Sequence, residues 1–398
     1  MPFKTIQQSS NSLNNAPGLP VARIRLDRLR GNWRHLAAMA EDMPPMALVK
    51  ANAYGHGLVP VARALLAEGC RFFAVGGVGE GILLRKALSG LEGGNAASVL
   101  PLLGILTEQE ARDVIANNLV PLIHSIWQAA LFNEVHSGPG PLPVAIKLET
   151  GMARLGFRED GEGDIPAALR EMPNLRPAYL LSHLASADDP AQDASVTAQA
   201  ARFLAVFRAM RAVWPDIVPS IANSPAFLAR KALLPNFPPH MARLGYALYG
   251  GNPLAGTPRA HWAEKLLPVM EVAAPVLAVH DLPKGQCVSY GRTYTAPRAM
   301  RIAVVGAGYA DGYSRGLSGR GRVCIHGESC PILGRVCMQM HIADVTHVPN
   351  VSHGDDAYLL GGDAPGTITM ADLAQSWGTI PYEVFCVLGR NRQEHIDG

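Results

Sequence analysis

MALVKANAYGHGLVPVARALLAEG (46–69) is the stretch on which the fold turns. MALV is a continuous apolar run, as a strand buried on both faces requires. It closes on Lys50. Gly55 and Gly57 then permit close backbone approach at a strand-to-helix turn. VPVARALLAEG (59–69) follows with helical patterning and ends on Gly69, a natural C-terminal stop. Strand, tight turn and helix together make one unit of an α/β architecture.

The same alternation recurs along the chain. Further apolar runs are RFFAVGGV (71–78), ASVLPLLG (97–104), LVPLIHS (119–125), PVAIKLET (143–150), AYLLSHLA (178–185), VPSIANS (218–224) and ARLGYALYG (242–250). Between them, TEQEARDVIANN (107–118) opens on Thr107 with Glu110 three residues on, a capping-box pattern. ASVTAQAARFLAVFRAMR (194–211) carries a long apolar stripe, and SGPGPLP (137–143) reads as a loop. Eight strands alternating with helices over roughly 220 residues predict a (β/α)8 barrel. The alternative, an open doubly wound sheet, lacks a GxGxxG after any strand.

Past about residue 262 the pattern changes to short strand-like segments: PVMEVAAPVLAVHDL, QCVSYG, MRIAVVGAG, RVCIHG, CPILGRVCM and DAYLLGG. One late helix, MADLAQSWG (370–378), interrupts them. The reading is α/β: an N-terminal (β/α)8 barrel over 28–262, then a C-terminal β-rich domain over 263–398 that also takes a strand near 21–27.

Composition sets outer bounds. In 398 residues, 48% are hydrophobic and 17% charged, which supports a large core and excludes wholesale disorder. Lys+Arg 35 against Asp+Glu 33 gives +2, so no nucleic-acid partner is expected. No apolar run nears the ~18 residues of a membrane helix, so no membrane partner is expected either. The N-terminus to about Pro20 reads as a polar, loose tail without a secretory apolar core. The 6 cysteines are scattered without a CxxC pair. They read as reduced thiols of a cytoplasmic protein, and no metal site is expected.

Barrel active sites lie at the C-terminal ends of the strands. Lys50 ends the first run, Lys147 lies near the end of the fifth and His183 ends the sixth. Asn223 and Ser224 end the seventh, and Arg243 lies in the eighth. A desolvated lysine has a lowered pKa and becomes a usable amine nucleophile; the plainer alternative is a rim salt bridge. Tyr54, Ser224 and backbone amides near Gly245 offer donors to an anion. An amine poised near an anion site suggests a phosphorylated aldehyde, pyridoxal 5'-phosphate, carried covalently on Lys50.

VKANAYGHG (49–57) resembles the cofactor-lysine motif of alanine racemases. KLETGMARLG (147–156), SHLASAD (182–188), ANS (222–224), ARLGYALYG (242–250), VSYGRTY (288–294), GYADGYSR (308–315), GRVCM (334–338) and IPYEV (380–384) follow in the family's order. The resemblance spans about 21–385. It implies a racemase interconverting L-alanine and D-alanine, supplying D-alanine for peptidoglycan. It also implies a homodimer in which one subunit's β-domain serves the other's site.

By the same resemblance, Lys50 and the partner subunit's Tyr290 are two catalytic bases. Arg243 meets the pyridine nitrogen, and His183 lies between Arg243 and Tyr290. Tyr54, Ser224, Gly245, Tyr246 and Tyr382 hold the phosphate. Arg154 and Met338 contact the substrate, and Lys147 corresponds to a lysine that many members carry as a carbamate. Tyr309 and Tyr382, with Asp188, Arg315 and Arg335, line the access corridor.

The chain departs from the family's pattern at Gln339, where an acid is usual, and at Ala153, where glycine is common. GGVGEG (76–81) and the last residues, GRNRQEHIDG, match poorly. Gln339 leaves a broad-spectrum amino-acid racemase open. A decarboxylase on the same fold would pair the pyridine nitrogen with an acid where Arg243 stands. A pyridoxal-phosphate carrier would resemble the barrel alone.

Overall fold

The structure is a computed structural model that describes residues 19–40, 44–158 and 164–398. The expected N-terminal tail lies, up to residue 18, outside the described residues. The described chain forms two compact units: 28–53 with 58–267, and 19–27 with 54–57 and 268–398.

β1 (Val21–Arg25) and α1 (Leu26–Met39) come first. The alternating region follows as β2 (Met46–Leu48), α2 (Leu58–Ala67), β3 (Phe72–Val75), α3 (Val78–Leu88), β4 (Ser98–Pro101) and α4 (Glu108–Ala116). It continues through β5 (Leu122–Ile123), α5 (Ile126–Val135), β6 (Leu142–Lys147), α6 (Ile165–Arg170), β7 (Leu175–Leu181) and α7 (Asp193–Val213). β8 (Val218–Ser220), α8 (Ser224–Leu228), α9 (Arg230–Leu233) and β9 (Arg243–Leu244) complete it. Each strand β2–β9 overlaps one of the apolar runs; β7 starts before its run, at Leu175, and β6 starts at Leu142, inside the stretch expected to be a loop.

The strands form two four-stranded parallel sheets, in the orders β4-β3-β2-β9 and β5-β6-β7-β8. Met46, Ala47, Leu48, Phe73, Val99, Ile123, Ala145 and Ile146 are all buried, which is why these strands read as unbroken apolar runs. Backbone bonds also occur where the sheets meet. Val120 N–H donates to Val99 O at 2.8 Å, beside β4 and β5. The amides of Met241 and Arg243 donate to Pro219 O (3.0 Å) and Ala222 O (2.9 Å), beside β8 and β9. Thr107 caps α4 by accepting from the Glu110 amide, as expected. The other half of the capping box does not form, because the Glu110 carboxylate takes the Leu106 amide at 2.7 Å.

The C-terminal unit is β-rich. Its strands are β10 (Met270–Leu282), β11 (Cys287–Val288), β12 (Tyr294–Thr295), β13 (Met300–Val305), β14 (Arg322–Ile325), β15 (Glu328–Leu333), β16 (His341–Asp344) and β17 (Asp356–Leu360). α10 (Met370–Trp377), α11 (Pro381–Leu388) and β18 (Arg392–Ile396) end the chain. The main sheet runs β13-β16-β15-β14-β17-β10-β1-β18, and β10 also pairs with β13. The long β10 makes this possible: 272–275 pair with β17, and 276–282 pair with β13 past a bulge. Sequence patterning missed β12, β16, β18 and α11. The poorly matching C-terminus is β18, parallel to β1. No helix of the described residues is long and apolar enough to cross a membrane.

Asn32 fastens α1 to its unit. It is 2% exposed. Its side-chain amide donates to Leu248 O (3.2 Å) and Leu267 O (2.8 Å), and its Oδ1 accepts from Leu267 N–H (2.8 Å). Asn32→Ala strands three backbone groups and should cost about 2–3 kcal/mol. Urea unfolding checks this: an unchanged midpoint would mean that water replaces all three bonds.

Candidate active site

Lys50 opens a turn of uncommon handedness. Ala51, Asn52, Ala53 and Tyr54 have φ of 53°, 54°, 55° and 53°. Four consecutive non-glycine residues in the left-handed region cost roughly 1–2 kcal/mol each. Gly55 (φ 79°) and Gly57 (φ 94°) continue the positive-φ path without that penalty. Tyr249, fully buried, donates its hydroxyl to Leu48 O at 2.9 Å and so fixes the strand end before Lys50. Asn52 Oδ1 accepts from Leu58 N–H at 2.8 Å, closing the turn onto α2.

Arg243 is the electrostatic centre of this unit, at 3% exposure. Its Nη1 donates to Ser220 O (2.8 Å) and Ser220 Oγ (2.7 Å). Its Nη2 donates to Ser182 O and reaches His183 Nδ1 at 3.2 Å. Guanidinium can only donate, so Nδ1 accepts and the His183 proton sits on Nε2. Burial, with Arg154 nearby, pushes the Arg243 guanidinium down to about 10. Burial also drives His183 well below 6.5, helped by Arg243, Lys147, Arg154 and Lys50. Lys147, at the end of β6, is lowered well below 10.5 by burial and then by Arg243 and Arg154. The unit therefore gathers the basic side chains of Lys50, Lys147, Arg154 and Arg243 around a neutral His183.

An anion cradle lies in the same unit. Ser224, 4% exposed, opens α8 behind its cap Asn223. Its Oγ receives the amides of Gly245 (3.2 Å) and Ala247 (3.4 Å), so hydroxyl and amide donors converge beside Tyr246. The donor chemistry fits a phosphate, and a strand-end amine with a buried cation fits the remainder of pyridoxal phosphate. Asp188 is exposed on the loop after β7.

In the C-terminal unit, Tyr54 packs against Tyr382 with ring centroids 6.2 Å apart. Burial pushes the Tyr54 phenol up. Tyr290 is 69% exposed, in a loop where Ser289, Gly291 and Arg292 all have positive φ. Ser289 Oγ donates to Arg335 O at 2.6 Å. The amides of Tyr309 and Ala310 donate to Cys337 O (3.1 Å) and Met338 O (2.9 Å). A Cβ on Gly308 would lie 2.3 Å from Cys337 O, so glycine is required for that approach. Tyr290, Met338 and Gln339 line one open hollow of about 410 Å³ with Ser289, Cys337 and Met340. Arg315 is exposed elsewhere in the unit.

Sequence reading missed the groups that shape these loops. Glu149 accepts from the amides of Gly151, Met152 (2.6 Å) and Arg154 (3.0 Å). Burial works against its ionisation, yet these amides hold its carboxyl below the usual range. Ser220 is a buried hydroxyl that bridges Arg243 and Met241 O. An acid directly before Thr-Gly in KLETG was the one available signal for Glu149; a serine inside an apolar strand gives none for Ser220.

Parallel strands bearing an amine, a hydroxyl-and-amide cradle and a buried cation define a site for a phosphorylated aldehyde. The family described as "Alanine racemase, N-terminal domain" matches residues 24–253, and "Alanine racemase, C-terminal domain" matches 269–396. An alanine racemase of Nitratidesulfovibrio vulgaris (strain Miyazaki F) is 47% identical over 378 residues, covering 94% of this chain and 97% of its own. One from Lawsonia intracellularis is 43% identical over 371 residues, covering 92% and 94%. Among solved structures, alanine racemase from Bartonella henselae with covalently bound pyridoxal phosphate superposes with TM-score 0.81 at 28% identity, covering 96% and 100%. That from Streptomyces coelicolor gives 0.82 at 31%, covering 96% and 98%. The chain belongs to the alanine racemase family.

The neutral state of His183 has a consequence for pH. Its native pKa lies well below 6.5, so the unfolded chain binds the extra proton first and stability falls as pH drops below 6.5. Buried His341, lowered to about 4, adds the same slope. Each such group contributes up to about 1.4 kcal/mol per pH unit. His183→Asn should flatten the fall in Tm between about pH 7 and about pH 5. A variant profile as steep as wild type would mean that His183 is protonated in the fold.

Proposed function

We propose that the chain is a pyridoxal 5'-phosphate-dependent alanine racemase, interconverting L-alanine and D-alanine in the cytoplasm and supplying D-alanine for peptidoglycan. The unit with eight parallel strands is read as a closed (β/α)8 barrel, domain 28–262. The bonds at Val99–Val120, Pro219–Met241 and Ala222–Arg243 support closure. The β-domain is read as 263–398 with the strand near 21–27. The covalently held pyridoxal phosphate of the Bartonella henselae relative supports the cofactor.

Arg243 carries the reading. Both its terminal nitrogens are committed to carbonyls, a serine hydroxyl and a neutral imidazole, and Nε remains for the pyridine nitrogen. A permanent cation there leaves the ring nitrogen unprotonated, which favours proton transfer over decarboxylation or transamination. When bound, pyridoxal phosphate acidifies the α-proton of an amino acid by delocalising the electrons of that bond.

Lys50 holds the cofactor and moves the α-proton on one face. The partner subunit's Tyr290 moves it on the other, because inversion needs a base on each side. His183, neutral on Nδ1, presents its Nε2 proton toward that phenol. Ser224, Tyr54, Tyr246, Tyr382 and the Gly245 amide hold the phosphate. Arg154 and the Met338 amide bind the carboxylate. Tyr309 narrows the access path, and Asp188, Arg315 and Arg335 line its outer part. The lowered pKa of Lys147 favours its neutral amine, the form that reacts with carbon dioxide, and a carbamate there would orient Arg154.

Purified protein should racemise alanine, and borohydride should fix the cofactor on the peptide containing Lys50. Label on another lysine would overturn the assignment. In Tyr290→Phe, α-proton exchange with deuterium should persist for one alanine enantiomer and fall by about 10²-fold for the other. Equal losses would make Tyr290 structural.

A homodimer with shared sites makes a second prediction. Lys50→Ala and Tyr290→Phe homodimers should both be nearly inactive. Refolded together, their heterodimer should regain about half the wild-type activity, since one site then collects both lesions and the other none. A heterodimer as inactive as its parents would place both groups on one chain.

A further inference from the structure

The left-handed turn after Lys50 is held by a group outside the proposed machinery. Glu80 stands in the first turn of α3. One carboxylate oxygen, Oε1, accepts from Asn52 N–H at 2.8 Å. The other, Oε2, accepts from Gly76 N–H at 2.8 Å. Asn52 is the middle of the strained run, two residues after Lys50. Gly76 follows β3, the neighbour of β2 in the sheet. A Cβ on Gly76 would lie 2.9 Å from Glu80 Oε2 and 3.9 Å from Lys50 Cβ, so the absence of a side chain lets the carboxylate and the lysine backbone share this space.

We propose that Glu80 is the positioning residue for Lys50, clamping the strained turn 51–54 to the β3–α3 loop and thereby fixing where the lysine amine stands. This rests on the reading of Lys50 as cofactor lysine and base. The chemistry of the clamp requires a carboxylate. Both bonds come from backbone N–H donors, so both side-chain atoms must accept. A glutamine offers one acceptor and one donor, and the donor meets an amide N–H head-on. Bonds from amides to a carboxylate are charge-assisted and stronger than neutral ones, which suits a segment whose backbone otherwise prefers another conformation.

The test compares wild type, Glu80→Gln and Glu80→Ala as purified holoenzymes. Amide hydrogen exchange over a peptide spanning 49–58 should accelerate about tenfold or more in Glu80→Gln, with α7 unchanged. Turnover of alanine should fall about tenfold while KM stays within about threefold, and the limb of the pH–kcat profile belonging to Lys50 should shift. Adding Ala51→Gly to Glu80→Ala should restore part of kcat, because glycine takes a left-handed φ without strain.

A role in stability alone would lower Tm and leave the pH profile of the remaining active enzyme as in wild type. Wild-type exchange over 49–58, or accelerated exchange with unchanged kcat and pH profile, overturns the proposal. If wild type racemises no alanine, the functional reading fails separately. Bound pyridoxal phosphate per subunit then decides Glu80: loss in Glu80→Gln supports the clamp, and equal content rejects it.

Discussion

A guanidinium buried without a carboxylate beside it constrains the whole N-terminal unit. Arg243 sits in β9, paired with Met46 of β2, the strand that leads into Lys50. Its side chain reaches Ser220 at the end of β8 and Ser182 at the end of β7. One residue thus ties the ends of four strands by pairing and hydrogen bonding. Neutral dipoles solvate its charge, and that is costly unless every one is held in place. The arrangement explains why Ser220 and Ser182 are buried polar residues among apolar strands. It also explains why His183 must be neutral: its Nδ1 is needed as an acceptor.

Within each unit, strain is stored in loops and offset by side-chain hydrogen bonds. The turn 51–54 is left-handed without glycine. The loop 151–154 has Ala153 at φ 54° and is gathered by Glu149. The Tyr290 loop has Ser289, Gly291 and Arg292 at positive φ, and is stitched to Arg335 through Ser289. Unfavourable backbone persists where the surroundings over-determine it, and such places commonly coincide with binding and catalytic groups. Here they coincide with segments that the sequence already singled out: the strand end at Lys50, KLETGMARLG and VSYGRTY.

Those facts mark what a sequence can and cannot disclose. The eight strands were legible because burial on both faces forbids polar residues inside them. Lys50, Lys147, His183 and Arg243 stood out as violations of that rule at strand ends. β16 was hidden because HIAD carries His341 and Asp344, buried polar residues that break an apolar run. β18, RQEHI, is polar except for Ile396 and gains its place by pairing with β1, more than 360 residues earlier in the chain. No local pattern encodes such a partner. Tyr290 was legible only through resemblance, since an exposed tyrosine in a turn has no pattern of its own. Glu149 and Glu80 act on backbone amides, and the sequence does not say which amides lie within reach.

The charge balance within the site follows from these placements. Lys50, Lys147, Arg154 and Arg243 all lie close enough to depress the pKa of His183. The carboxylate of Glu149, the acid among the groups acting on Lys147, is already occupied by backbone amides. Among the groups acting on Lys147 and His183, positive charge therefore outweighs negative. A cluster in that state lowers the pKa of its own members, and Lys147 and Arg243 both respond in this way. It also gains most from ligands that bring anions, and an amino acid carboxylate and a phosphate ester each supply one. Repulsion among the basic groups is relieved by such anions and so contributes to their binding. Selection for an anionic cofactor and an anionic substrate is thus built into the spacing of the cations, before any shape complementarity is considered.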